Sequence, residues 1–119
     1  MFEHILSHYA KALNSYNRLI KDHSTPELYY CRALIYIDKA NNAAVIEDLN
    51  QCINSLYTEE AFFNRGLAKF YLGKYNGALH DLKQALKLNP YNENAHVIQS
   101  VICKCKSEQD WQKAQKKKI

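Results

Sequence analysis

Only three glycines and two prolines punctuate the 119 residues, beside four cysteines, one methionine and one tryptophan. So few breakers exclude a loop-rich or low-complexity chain. No apolar run approaches the roughly 18 residues that cross a bilayer, so no membrane partner is expected. The start, Met1-Phe2-Glu3-His4-Ile5-Leu6, lacks the basic, apolar and small-residue order of a secretory signal. A cytoplasmic location, alone or within a cytoskeletal or other large assembly, is the expectation. Cys31, Cys52, Cys103 and Cys105 then remain thiols, and their spacing contains neither a Cys-x-x-Cys pair nor a histidine at zinc-ligand distance.

Catalytic signatures are equally scarce. The chain has no glycine-rich phosphate loop, no nucleophile elbow and no His-Glu-x-x-His. No catalytic residue, cofactor or metal is expected, and the chain reads as no enzyme. His4 and His8 stand four apart, which could place two imidazoles on one helical face, but no third ligand accompanies them. His80 and His96 are isolated, and Cys103 and Cys105, two apart, fall on different sides of a helix.

Hydrophobic residues make up 47%, enough for a core, and a chain of this length buries roughly two thirds of its unfolded surface. Intrinsic disorder is excluded. The formal charge of +4 is unevenly placed: residues 1–102 balance ten basic against ten acidic side chains, whereas residues 103–119 carry six lysines against Glu108 and Asp110.

The breaks are easily found. Thr25 before Pro26 reads as an N-cap with proline in the first turn. Asn41-Asn42, Tyr57-Thr58, Leu72-Gly73-Lys74 and Asn89-Pro90 mark further turns. Between them apolar residues recur every three or four positions, as in Val45, Ile46, Leu49, Cys52 and Ile53, with no strand-like alternation. About six helices are predicted. A shift of 33 residues lays Tyr29–Leu34 on Phe62–Leu67 and Asp48–Ile53 on Asp81–Leu86, and a shift of 66 lays Leu6, Tyr9, Ala12 and Leu13 on Leu72, Tyr75, Ala78 and Leu79. The chain is a helical-hairpin repeat.

Phe62-Phe63-Asn64-Arg65-Gly66-Leu67-Ala68, Leu72-Gly73-Lys74-Tyr75, Ala78 and Ala85–Pro90 resemble the tetratricopeptide repeat family, most fully over 59–92 and more weakly over 26–58. Ala33, Phe62, Gly66, Gly73, Tyr75, Ala78, Ala85 and Pro90 stand at its repeat-defining positions. The resemblance implies an all-α fold: antiparallel hairpins forming a short right-handed solenoid in a single domain, 1–119. Its parts would be a half-repeat or capping helix (2–23), repeats at 26–57 and 59–90, and a C-terminal capping helix or partial repeat (92–118). One unbroken helix from about Glu93 to Lys116 is a further reading of that last segment. Close helix crossing explains small residues, with Gly66 expected against Ala78 and Ala85. Phe62 and Tyr75 would fill the wedge where the helices diverge.

Arg32 precedes Asp48, and Arg65 precedes Asp81, by sixteen residues. Each pair is expected to bridge the helices of its own hairpin, unless Asp48 reaches Arg65 instead. The resemblance further implies a concave groove lined by Glu27, Tyr30, Leu34, Ile37, Glu60, Phe63, Leu67, Phe70 and Tyr71. Related domains grip the acidic C-terminus of heat-shock chaperones with Lys, Asn and Arg there; the apolar, aromatic and acidic residues here argue against such a carboxylate clamp. A peptide or helix of another protein, or a terminal helix folding back, would fill the groove. The expected role is a non-catalytic interaction or scaffold module. The alternatives are a structural subunit meeting neighbours or copies of itself through incomplete end repeats, and a weak polyanion binder. For the lysines of 113–118, a solvated helix end closing on the dipole is the simpler reading, and nothing with base-reading logic points to nucleic acid.

Overall fold

A computed structural model describes the backbone of residues 2–117 and the side chains of residues 7–117; His4 and Leu6, as side chains, and Lys118 lie outside the described residues. Six helices and no strand occur among those described: α1 (Phe2–Asp22), α2 (Pro26–Asp38), α3 (Asn42–Cys52), α4 (Glu59–Tyr71), α5 (Tyr75–Leu88) and α6 (Ala95–Lys117). None is long and apolar enough to cross a membrane. The last segment is one unbroken helix of 23 residues.

Short polar side chains begin three of the helices by accepting a backbone N–H that the first turn leaves without a partner. Thr25 Oγ1 accepts from Leu28 at 3.4 Å, Asn41 Oδ1 from Ala44 at 3.3 Å and Thr58 Oγ1 from Ala61 at 3.2 Å. The α2–α3 and α4–α5 turns close alike: Asn41 N–H reaches back to Tyr36 O at 2.9 Å, and Lys74 N–H to Lys69 O at 2.8 Å. This six-residue closure needs a left-handed residue just past the helix. Gly73 supplies it at φ +78°, and Ala40, 33 residues earlier, holds φ +56°. A Cβ makes that conformation costly, so Ala40→Gly should raise the urea midpoint, with a net gain of up to about 1 kcal/mol after the greater freedom of the unfolded glycine. An unchanged or lower midpoint would show that Ala40 carries no strain.

The chain divides into two compact units at Leu56–Tyr57. In the first, α2 packs on α1 and α3. Tyr9 Oη donates to Asp38 Oδ2 at 3.2 Å and Arg32 Nη1 to Asn17 Oδ1 at 2.9 Å, an antiparallel pairing of α1 with α2. Ala33, Val45, Leu49 and Cys52 are wholly buried, with Ile46 and Ile53 beside them. In the second, α5 packs on α4 and α6 around Ala61, Phe62, Ala68, Ala78, Leu82, Ala85, Ile98, Val101 and Cys105.

A bidentate ion pair ties each hairpin. Arg32 Nε and Nη2 lie 2.8 and 2.6 Å from Asp48 Oδ2 and Oδ1; Arg65 Nε and Nη2 each lie 2.8 Å from the corresponding oxygens of Asp81. Lys69 Nζ adds a contact to Asp81 Oδ2 at 2.9 Å. The hydrogen bonds to Asp48, then its charge, hold the Arg32 guanidinium above the usual range against its partial burial. The arginines also lie over aromatic rings, Arg32 over Tyr29 and Tyr36 and Arg65 over Phe62.

Gly66 marks the close crossing of α4 and α5, and Leu82 and Asp81 come nearest to it. A Cβ there would lie 2.9 Å from Leu82 Cγ and 3.2 Å from Asp81 Cβ. Ala78 and Ala85 are buried in the same unit without being those nearest neighbours.

Candidate functional site

In the first unit, Glu27, Tyr30, Leu34 and Ile37 follow helical spacing along one stripe of α2. Tyr30 is half-buried, while Leu34 and Ile37 keep 42% and 36% of their surface exposed. Among the described side chains, α1 reaches α2 at Cys31, Arg32 and Asp38, and Leu34 and Ile37 keep their exposure beside these contacts.

In the second unit, α4 presents Glu60, Phe63, Leu67, Phe70 and Tyr71. Phe63, Leu67 and Phe70 are half-buried and Tyr71 is 67% exposed. Phe70 is held edge-on by Tyr71 and Tyr75, with ring centroids 5.5 and 5.9 Å away. Tyr75 thus packs against the stripe, whereas Phe62 lies buried beneath it, edge-on to Tyr57 at 4.9 Å. The outer part of α6 does not fold back over α4: from Lys106 to Lys117 every residue is exposed except half-buried Gln109, which donates to Asn76 Oδ1 on α5.

The stripe begins at a cavity of about 300 Å³ that sequence reasoning did not anticipate. Glu60 and Phe63 line it, but so do Glu59 at the start of α4, Asn89, Tyr91, Asn92, Glu93 and Asn94 from the α5–α6 connection, and Ile98 of α6. The polar run after Pro90 was the available signal; from residue 92 it is expected in the C-terminal helix, which begins only at Ala95. Asparagine side chains shape that connection: Asn89 Oδ1 accepts from Tyr91 N–H at 3.1 Å, Asn92 Oδ1 from Asn94 N–H at 2.8 Å, and Asn89 Nδ2 donates to Glu59 Oε1 at 3.2 Å. Glu59 Oε2 is buried with no hydrogen-bond partner. Tyr91 is 94% exposed at the rim. Leu67, Phe70 and Tyr71 do not reach this cavity.

Among the other residues singled out, Ala33 is buried on α2, Pro90 is exposed in the α5–α6 connection, and no three His, Cys, Asp or Glu side chains gather at metal-binding distance among the described residues. The four cysteines form no disulfide; Cys52 and Cys105 are buried, and burial raises the Cys105 thiol pKa.

A model described as Tetratricopeptide repeat matches residues 59–92. Tetratricopeptide repeat protein 6 of Homo sapiens is 32% identical over 62 residues, 52% of this chain but only 12% of that protein's length. The first TPR of Spaghetti (RPAP3), bound to the HSP90 peptide SRMEEVD, has a TM-score of 0.74 at 24% identity over 88% of this chain and 82% of that one. The second TPR domain of the human RPAP3 protein, in complex with the HSP70 peptide SGPTIEEVD, has a TM-score of 0.68 at 31% identity over 82% and 81%.

Proposed function

The chain belongs to the tetratricopeptide repeat family, and on that premise we propose that it is a non-catalytic protein-interaction module taking a peptide or helix of a partner protein on the apolar stripe of α4 or on that of α2. The observation that carries this reading is the exposure of Leu34 and Ile37 on the α2 stripe with half-buried Tyr30 and, separately, of Tyr71 on the α4 stripe with half-buried Phe63 and Leu67. Large apolar side chains aligned at the surface gain free energy when a partner removes them from water. A cytoplasmic site belongs to the same proposal, supported by four cysteines outside any disulfide.

A second reading is favoured by one observation. The 31%-identical domain is in complex with an HSP70 peptide ending in Glu-Glu-Val-Asp, so this chain would take an acidic chaperone C-terminus. The sequence-based expectation against a chaperone clamp gains no support from the comparisons. The side chains favour the first reading, because Glu60 and Glu59 stand at the head of the α4 stripe where an acidic peptide would meet like charge.

Two measurements decide. Affinity capture with wild type and with Leu34→Glu/Tyr71→Glu should lose partners in the variant, both substitutions being at exposed positions that leave the cores intact; identical partner lists would discard the stripes. Calorimetric titration with SRMEEVD and SGPTIEEVD separates the readings: little heat is expected, and salt-sensitive micromolar binding to wild type would replace the first reading by the second.

A further inference from the structure

On a different part of the second unit, the α4–α5 turn and the outer half of α6 border an open cleft of about 520 Å³. Its charged lining is wholly cationic: Lys74 comes from the turn, and Lys113 and Lys116, three apart on one helical face, come from α6. Gln109 donates to Asn76 Oδ1 and so holds the two sides in register. Three lysines thus line a wall to which no carboxylate contributes. Lys104, Lys106 and Lys117 of the same helix lie outside the lining, so the cleft selects particular lysines and is not the tail as a whole.

We propose that this cleft binds the phosphoryl group of a phosphoserine or phosphothreonine side chain on a partner peptide. Three ammonium donors, with the amides of Asn76 and Gln112 beside them, match a group that brings up to two negative charges and three acceptor oxygens. Nucleic acid fits less well. The one aromatic ring in the lining, Tyr75, is engaged edge-on with Phe70 and is not laid open as a base-stacking platform. No residue of the α2 and α4 stripes lines the cleft, so the two proposals stand or fall separately.

Amide-resolved NMR titration of the full chain with O-phosphoserine, serine and oligothymidylate tests the site. O-phosphoserine should shift the amides of residues 74–77 and 109–116, and serine should not. Lys74→Gln, and separately Lys113→Gln/Lys116→Gln, should each weaken binding at least about tenfold, the size of one lost charge-assisted hydrogen bond. Lys104→Gln/Lys106→Gln removes the same charge outside the cleft and should change binding less than about twofold, within long-range screening. Equal losses in both double variants, absent shifts, or tighter binding of oligothymidylate at the same amides would each overturn the assignment.

Discussion

Replacing Asp81 by alanine should unfold the second unit at markedly lower urea, with a loss of about 3 to 5 kcal/mol. Asp81 is wholly buried and neutralises two cations, Arg65 and Lys69, whose side chains are only 14% and 19% exposed. Its removal strands both beneath the surface, and Arg65 Nε and Nη2 lose their acceptors at once. Arg65→Ala should cost less, because Lys69 still faces the carboxylate. The double variant should be more stable than the two losses added together, since the bidentate contact that each single variant breaks can be lost only once. Strict additivity would mean that the pair does not interact energetically despite its geometry.

Gly66→Ala should destabilise by about 1 to 3 kcal/mol, although alanine favours a helix over glycine by roughly 1 kcal/mol. The added methyl would meet Leu82 Cγ at 2.9 Å, and Leu82 is wholly buried with nowhere to move. Gly77→Ala is the contrast. Its methyl would meet Lys69 Cδ at 3.0 Å, in a chain with several rotatable bonds that needs to give only a few tenths of an ångström while keeping its contact with Asp81. That variant should be near neutral. Thermal midpoints of the two alanine variants give the comparison; equal midpoints would show that α4 and α5 can separate at their crossing without loss.

These two positions show what the sequence could and could not convey. A sixteen-residue interval between arginine and aspartate, repeated after 33 residues, is a one-dimensional pattern, and the two ion pairs lie at those intervals. The helix starts at Thr25 and Thr58 are legible for the same reason, since a cap and its acceptor geometry span only three residues. The nearest neighbours of Gly66, Leu82 and Asp81, lie midway between Ala78 and Ala85 along α5, a position along the axis that hydrophobic spacing leaves open. Ala40 went unnoticed because a left-handed alanine has no sequence signature; only its 33-residue offset from Gly73 reveals it. The cavity beside Glu59 and the cleft beside Lys74 draw on residues far apart in the chain. Composition could flag the lysines of the tail, but not that Lys113 and Lys116 meet a lysine about forty positions earlier.

Helix α6 combines two energetic regimes in one unbroken rod. Its inner turns are anchored by Ile98, Val101 and Cys105, so their helicity is enforced by tertiary packing. Beyond Cys105 the remaining twelve residues, about 18 Å of helix, rest on intrinsic propensity and a single side-chain tether at Gln109. Isolated helices of that length are marginal in water. The cooperative boundary of the folded unit therefore lies near Cys105, about three turns before the helix ends, and what lies past it is a lever whose stiffness is set by whatever it touches.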